Sequence, residues 1–451
     1  MTTPADDGQI EGYTTRVSGL PGTAITLKVS TSATTYTVTA YRIGNYPGGG
    51  LSVWRSGPLP GGRQAAGSFS NRYTRTVHAT WHRSLTVPTV GWLEGFYLLK
   101  LVGSDGWQAH VPYVVRSSSS EGKVALVEPV ATWQAYNTWG DYDFYEGRGS
   151  DRAAWAVSFD RPFPPPGASE MRFGVIPVVR AAERAGVPLA YLTDIDLDAD
   201  PHALDGARAF VSPGHDEYWT DRMRAEVLHA RDAGTNLLFL GANTAYWKVR
   251  LEPTSSGPRR LLVGYRREPS ADPLRDTGRA AGKYREQGSR SAENVLTGME
   301  YECFPVDASW AVASPRWWGY RGTGVRRGTS FAHLVGVEGD RVYPIATTPR
   351  PLQVIADTAY SCGGVPTSAQ ATYYTTASGA GVLDVGTLRW TCAFAGRCPT
   401  WRLGRRTTRF VRTVTRTVLR QFAAGPAGAR HPARDNLARF DLPTVNEVPA
   451  S

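Results

Sequence analysis

Residues 207–247 read ARAFVSPGHDEYWTDRMRAEVLHARDAGTNLLFLGANTAYW. Two apolar runs of strand length, 207–212 and 236–240, enclose a segment that carries helix start and stop signals. Thr220 can cap a helix that begins at Asp221, and Gly234 follows its predicted end at Ala233. A strand, a helix and a second strand in this order predict two parallel strands joined by a crossover helix.

The same pattern extends on both sides of this stretch. Further strands are predicted at 123–129 (KVALVEP) and 189–193 (LAYLT), with a helix from about Met171 to Gly186 between them. Residues 251–290 are polar and rich in Arg, Gly and Pro, which predicts loops, whereas 330–395 return to strands that include GVLDVGTLRW at 381–390. A helix from about Arg405 to Phe422 ends the pattern. We therefore predict an α/β domain over residues 121–425, with a parallel sheet and helices on both faces.

The first 118 residues have a different pattern of apolar and polar residues. In the run 24–30, Ile25, Leu27 and Val29 alternate with polar residues, and further strand-length runs follow between Gly/Pro/Ser turns. This pattern predicts a β-sandwich of immunoglobulin-like type over residues 1–118. The serines at 117–120 predict a linker. Residues 426–451 form a Pro/Ala/Arg-rich tail that we expect to lie along the surface or to move.

Composition limits the classes of partner. The chain has 451 residues, 41% hydrophobic and 20% charged, which is typical of a globular protein. No apolar run is long enough to span a membrane, so we predict no membrane partner. The net charge of +10 comes mainly from arginines, including a group on the 405–422 helix. No aromatic base-stacking set accompanies them, which argues against nucleic acid. The composition leaves open whether the chain forms a homo-oligomer.

Four cysteines lie in the second half of the chain, at Cys303, Cys362, Cys392 and Cys398. None has CxxC spacing, which argues against a zinc or thioredoxin-like motif. A disulfide between Cys392 and Cys398 would close a short loop, and the even count suits an oxidising compartment. Met1 leads directly into TTPADDGQIEGY without a signal peptide. An extracellular chain without its signal is favoured, and a cytoplasmic one stays open.

Chemistry-bearing residues concentrate in two loops, 212–219 and 241–247, which follow consecutive predicted strands. Ligands of open parallel sheets bind at the carboxyl ends of the strands, so both loops are expected to face one crevice. His215, Asp216, Glu217 and Tyr218 occupy four consecutive positions in the first loop. This density favours a functional site over a structural turn.

The motifs GHDEYW (214–219) and GANTAYW (241–247), with Tyr218 and Tyr246 separated by 28 positions, resemble the large (beta) subunit of N,N-dimethylformamidase and its wider family. The resemblance covers about residues 123–422 and includes the late GVLDVGTLRW segment. It implies an α/β domain similar to class I glutamine amidotransferases. Those enzymes place a cysteine at a strand-to-helix elbow, but here the elbow reads Pro213-Gly214-His215. Cysteine amidotransferase chemistry is therefore not expected.

The resemblance implies a hydrolase of a small-molecule amide with one ferric ion held by two tyrosines and a glutamate. Carried over to this sequence, Tyr218 and Tyr246 are the expected phenolate ligands, and Glu300 is the expected carboxylate. Glu302 is the alternative to Glu300 as the carboxylate ligand, and Tyr265 is the alternative to either tyrosine as a phenolate ligand. Two phenolates and a carboxylate would suit ferric iron, since this hard ion prefers anionic oxygen donors.

The catalytic roles are assigned on the same basis. His215 is the expected general base, and Glu217 either orients His215 or takes its place. Asn243 is expected to donate a hydrogen bond to the developing oxyanion. The chain is markedly shorter than the formamidase subunit, so its substrate is expected to differ from dimethylformamide.

Two other functions remain as hypotheses. The first is a secreted carbohydrate-binding or carbohydrate-active protein, in which an aromatic wall stacks on sugar rings. The candidate wall consists of Trp133, Trp139, Tyr136, Tyr142 and Tyr145. The second is a non-catalytic, amidotransferase-like scaffold.

Overall fold

The computed structural model describes residues 2–168, 170–288, 291–399 and 401–445. Residues 289 and 290 of the predicted loop region and 446–451 of the predicted tail lie outside the described residues. The first part of the chain is all β, as predicted, with strands β1 (Ile10–Thr14), β2 (Ser18–Gly19), β3 (Ile25–Thr31), β4 (Thr35–Ile43), β5 (Gly50–Arg55), β6 (Leu59–Pro60), β7 (Ser68–Asn71), β8 (Thr76–His78), β9 (Leu85–Val87), β10 (Gly95–Gly103) and β11 (Gln108–Val115).

These strands form two principal sheets that share one hydrophobic core. The first has the order β1-β3-β9, and the second has the order β2-β11-β10-β4-β5. Ile25, Leu27 and Val29 are all buried in the shared core, which confirms their predicted alternation. Burying apolar side chains from both sheets produces the sandwich that the alternating sequence predicted.

The second part of the chain contains strands β12 (Val124–Glu128), β13 (Ala156–Ser158), β14 (Leu189–Thr193), β15 (Ala209–Ser212), β16 (Tyr218–Trp219), β17 (Asn236–Phe239), β18 (Trp247–Lys248), β19 (Arg250–Thr254), β20 (Gly257–Val263), β21 (Gly282–Lys283), β22 (Glu300–Ala311), β23 (Ser330–Arg341), β24 (Leu352–Cys362), β25 (Val365–Thr375) and β26 (Gly381–Asp384). Its helices are α1 (Val130–Ala135), α2 (Val175–Ala185), α3 (Asp194–Ala199), α4 (Asp221–Asp232), α5 (Asn294–Thr297), α6 (Arg389–Ala393), α7 (Arg405–Ala423) and α8 (Ala427–Arg430).

A seven-stranded sheet of order β14-β12-β15-β17-β26-β25-β24 organises this part. Its first five strands are parallel, and β25 and β24 add antiparallel pairs. The predicted parallel strands are therefore present, on a mixed sheet rather than a purely parallel one. Helix α2 packs against α7, and α3 packs against α4.

Local signals placed the helix between the two central strands accurately. The Thr220 hydroxyl accepts a hydrogen bond from the Met223 amide at 3.2 Å, so Thr220 caps α4 as predicted. Gly234 follows the helix with a φ of 104°, a backbone conformation that glycine adopts without strain.

Three sequence-based expectations differ from the structure. Residues 251–290 are not only loops, because β19 and β20 form an antiparallel hairpin that pairs with β13. The strand predicted at 381–390 ends at Asp384, and α6 begins at Arg389. The helix expected from Met171 begins only at Val175. The missed hairpin depends on tertiary pairing with β13, which local sequence does not reveal.

The predicted domain boundary near 118–121 stays a prediction. Ile43, Phe96 and Val114 from the β-sandwich are buried in the same apolar cluster as the core of the seven-stranded sheet. Within the tail, Asn436 accepts a hydrogen bond from the Val354 amide of β24 at 2.8 Å. Among the described residues, no helix combines the length and apolar character needed to cross a bilayer.

Candidate functional site

The loops after β15 and β17 meet at the carboxyl edge of the seven-stranded sheet. A side chain at Gly241 would place its Cβ 2.0 Å from the Gly214 carbonyl oxygen, so the two backbones touch where only glycine fits. The Thr132 hydroxyl of α1 accepts hydrogen bonds from the Glu217 amide at 2.9 Å and from the Tyr218 amide at 3.2 Å. These contacts fix the loop 214–218 against α1, which follows β12.

Glu217 lies at the centre of the buried site. Its Oε2 accepts hydrogen bonds from the Tyr136 hydroxyl at 2.6 Å and the Tyr145 hydroxyl at 3.0 Å. Its Oε1 accepts from Trp247 Nε1 at 2.8 Å and from Asn243 Nδ2 at 3.1 Å. The residue is 2% exposed, so these donors rather than water satisfy its carboxylate oxygens.

Three phenols share this site. The Tyr145 hydroxyl bonds to that of Tyr136, and the Tyr218 hydroxyl donates to that of Tyr145 at 2.8 Å. Burial raises the pKa of Tyr136, Tyr145 and Tyr218, and the nearby Glu217 carboxylate raises the pKa of each further. The guanidinium of Arg266 lies 4.0 Å from the Tyr145 ring centroid. Within the protein alone the phenols therefore stay neutral, and a bound cation would be needed to ionise them.

His215 and Glu338 complete the site. His215 Nε2 lies 3.5 Å from Glu217 Oε2 and 3.4 Å from Glu338 Oε2. Asn243 Nδ2 also lies 3.4 Å from Glu338 Oε1. Burial, followed by the charge of Glu217, raises the pKa of Glu338 well above its ordinary value. The His215 side chain is 25% exposed, so it is more accessible than the side chains of Glu217 at 3% and Glu338 at 9%.

The structure therefore brings together four of the predicted site residues. Glu217 contacts both His215 and Asn243, and Tyr218 joins them through Tyr145. The neighbouring carboxylate of Asp216 turns away into the core, where it accepts hydrogen bonds from Ser212 and Trp219.

The other predicted ligands lie around Arg285 or further away. The Tyr246 ring centroid is 5.0 Å from the Arg285 guanidinium, and Glu300 is 3.8 Å from the same side chain. Glu302 accepts hydrogen bonds from Arg341, Tyr343 and Thr367. Tyr265 stacks on Trp155 at 5.2 Å in a separate apolar cluster. The ligand set Tyr218, Tyr246 and Glu300 stays a prediction, and the structure offers a second set.

The second set consists of Tyr136 Oη, Tyr145 Oη and Glu217 Oε2, which lie within hydrogen-bond distance of one another. Among the described residues, no group of three or more histidine, cysteine, aspartate or glutamate side chains could hold a metal ion. Two phenols and one carboxylate are a different donor type, and their oxygens suit a hard trivalent cation. The residues present therefore fit a ferric ion chemically.

Sequence reasoning named Tyr136 and Tyr145 only as part of an aromatic wall, and it missed Glu338 and Arg266. Tyr136 follows α1 directly after β12, so the strand-end rule that found His215 could also have found it. Glu338 lies inside the long strand β23, and no local signal marks it.

An apolar cavity of about 280 Å³ opens beside His215 and Tyr136. A second, wider cleft of about 940 Å³ lies between the β-sandwich and the loop 138–149, with Trp81 and Trp139 in its lining. The predicted aromatic wall is thus divided, because Trp133 and Tyr136 line the first cavity whereas Trp139 lines the second.

The mixed sheet carries buried oxygen donors at the carboxyl edge of its parallel strands, which is where a ligand site of such a sheet is expected. The chain matches the family described as "N,N-dimethylformamidase beta subunit-like, C-terminal" over residues 37–401. It therefore belongs to that family, as its two loop motifs indicated. A comparison with curated proteins gives no match.

Solved structures include one match with a cycloisomaltooligosaccharide glucanotransferase from Paenibacillus sp., complexed with cycloisomaltoheptaose. The match has 10% sequence identity and a TM-score of 0.17, and it covers 48% of this chain and 28% of that chain. Such a low TM-score supports no conclusion about fold or ligand.

Proposed function

We propose that this chain hydrolyses the C–N bond of an uncharged small-molecule amide with one ferric ion at the site around Glu217. The observation that carries the proposal is the convergence of the Tyr136, Tyr145 and Glu217 oxygens. Family membership supports the reaction class. The α/β domain, in this proposal, is a relative of class I glutamine amidotransferases that has exchanged a cysteine nucleophile for a metal.

Charge balance supports the metal. Tyr136, Tyr145 and Glu217 would together supply three negative charges to a trivalent cation. Without a cation, two phenols would remain buried against a carboxylate, which keeps them protonated. When bound, the ferric ion would supply Lewis acidity toward the amide carbonyl and toward water.

The protein groups would handle the proton. His215 Nε2 accepts a proton from the attacking water and returns it to the departing amine nitrogen. Glu217 and Glu338 flank His215 Nε2 at 3.5 Å and 3.4 Å, and the carboxylate charge of Glu217 favours the imidazolium form. Water thereby adds to the carbonyl carbon as the C–N bond breaks, giving a carboxylic acid and an amine.

Asn243 has a positioning role in this scheme. Its Nδ2 already contacts one oxygen of Glu217 and one of Glu338, so it holds both carboxylates around His215. The expected oxyanion hydrogen bond would require one of these contacts to be released.

The first experiment is metal analysis of the aerobically purified protein, combined with visible absorption and amine release from N,N-dimethylacetamide. We expect equimolar iron, a tyrosinate-to-iron charge-transfer band, and amine release that a chelator abolishes. A protein that stays colourless and iron-free after incubation with ferric salt would contradict the proposal and favour the non-catalytic scaffold.

Carbohydrate binding remains the second candidate function because of the wide cleft of about 940 Å³. The Trp139 ring, the carboxylates of Glu11 and Asp141, and Arg63 line this cleft, and sugars are bound by such a mixture of aromatic and planar polar groups. Glycan-array binding that Trp139→Ala abolishes would support it. Unchanged or absent binding would contradict it.

A further inference from the structure

The cavity beside the site has a clear chemical character. It holds about 280 Å³, with His215 and Tyr136 in its lining. Apolar side chains form most of its wall, namely Trp133, Phe173, Val175, Val337, Leu388 and Pro399. A volume of this size admits on the order of ten water-sized groups.

Most polar groups on the wall are already engaged by the protein, although Arg389 Nε has no hydrogen-bond partner among the described residues. Thr132 Oγ1 accepts the Glu217 and Tyr218 amides, and Thr391 Oγ1 donates to the Leu388 carbonyl at 3.2 Å. The Arg389 guanidinium is paired with the Asp307 carboxylate and also donates to the His333 carbonyl at 3.0 Å. The guanidinium on the wall is therefore already paired with a carboxylate, and a charged ligand group would lose its hydration beside mostly apolar side chains.

A disulfide fixes one side of this cavity. Cys392 of α6 and Cys398 both line the cavity. The disulfide between them joins α6 to the segment just before Pro399. Cys398 is tied further by its amide, which donates to the Trp401 carbonyl at 2.8 Å. The apolar wall is thus held in place before a ligand arrives, which lowers the ordering cost of binding.

We propose that this cavity binds a hydrophobic substituent of the amide substrate, so that the preferred substrate is an uncharged amide with a chain or ring of several carbons. The inference rests on the proposed function, because the amide must reach His215 while its substituent fills the cavity. Dimethylformamide would leave most of the cavity empty. Each added methylene is expected to increase kcat/KM about threefold to fourfold until the cavity is full.

The test uses two series of amides on the iron-loaded protein. One series lengthens the acyl chain of N,N-dimethylalkanamides, and the other lengthens the N-alkyl chain of formamides. We expect kcat/KM to rise in one of the two series and to fall at least tenfold when that chain ends in a carboxylate. Flat profiles in both series would overturn the inference.

Two variants locate the effect. Val175→Trp fills the cavity from the start of α2 and is expected to reduce the preference for long over short amides at least tenfold. Phe173→Ala widens the cavity at a half-buried position, and it is expected to move the optimum to longer chains. The exposed Val90→Trp is the matched control and should keep the wild-type preference. An unchanged preference in both cavity variants would overturn the inference.

Binding of 2-octanone to the iron-free protein separates this inference from the proposed function. This neutral ketone cannot be hydrolysed, and its binding can be followed by calorimetry. Ketone binding that Val175→Trp removes, in a protein without hydrolase activity, supports the cavity inference while the proposed function fails. Hydrolysis of short amides without ketone binding or chain-length preference overturns the cavity inference while the proposed function stands.

Discussion

The Tyr136 hydroxyl lies 2.6 Å from Glu217 Oε2, although 81 positions separate the two residues in the chain. Removing either partner should therefore disrupt the proposed metal ligands. We expect Tyr136→Phe and Glu217→Gln each to lower iron affinity more than about tenfold, since even removal of supporting groups around a metal costs that much. Competition with a chelator provides the measurement.

Tyr246→Phe and Glu300→Gln are the matched controls for these two variants. They carry the same chemical changes at the ligands predicted from sequence alone. Normal iron affinity in the controls would favour the set around Glu217. Loss of iron in the controls, with retention in Tyr136→Phe, would favour the original set of Tyr218, Tyr246 and Glu300.

Trp247 is expected to act by orienting Glu217. Its Nε1 donates to Glu217 Oε1 at 2.8 Å, and both groups are buried. Trp247→Phe keeps an aromatic ring but removes this donor, so we expect iron affinity to fall by about 10-fold to 100-fold. Trp155→Phe, in the separate cluster around Tyr265, provides the control and should bind iron as the wild type does. Equal affinities in the two variants would count against the orienting role.

The two disulfides should stabilise the fold unequally. Cys303–Cys362 spans 59 positions and Cys392–Cys398 spans 6. Because the loop-closure entropy of the unfolded chain grows with loop length, the double Ser variants should lose about 4 and about 2 kcal/mol of unfolding free energy respectively. Urea denaturation of both variants measures this order. A reversed order would show that local contacts, rather than loop length, decide the effect.

Asn236 joins β17 to the C-terminal helices. Its Nδ2 donates hydrogen bonds to the carbonyl oxygens of Phe422 and Gly425. Its Oδ1 accepts hydrogen bonds from the amides of Gly381 and Ala427. Asn236→Ala leaves these buried groups unpaired and should cost about 3–5 kcal/mol in unfolding free energy.

Asn45→Ala is the matched change at an exposed position and should cost about 0.5 kcal/mol or less. Urea denaturation compares the two. A similar small loss in both variants would mean that the contacts of Asn236 contribute little net stability.

His110 should make the β-sandwich sensitive to acid. Burial, with a contribution from Lys100, lowers the pKa of His110 to about 4 from about 6.5. Between these two pH values the unfolded chain binds more protons than the folded one, so stability falls as the pH decreases. His110→Gln should reduce this loss, measured as the urea midpoint at pH 7 and pH 5. The exposed His82→Gln should behave like the wild type, and equal losses in all three proteins would refute the assignment.

Local sequence determined much of the scaffold. The alternation of Ile25, Leu27 and Val29 identified an inward face, and Thr220 with Gly234 marked the ends of α4. The apolar runs at 207–212 and 236–240 became β15 and β17 with only small shifts. These features depend on backbone preferences and burial periodicity within a few residues, which the sequence states directly.

The position of the candidate site also followed from the sequence, because the carboxyl ends of parallel strands are known once the strands are known. The tertiary structure alone decided which side chains meet there. Tyr145 and Glu338 reach Glu217 and His215 from a loop and from the middle of β23, after 72 and more positions of intervening chain. Such contacts depend on how whole sheets and loops pack, and packing is a property of the folded chain rather than of any local pattern.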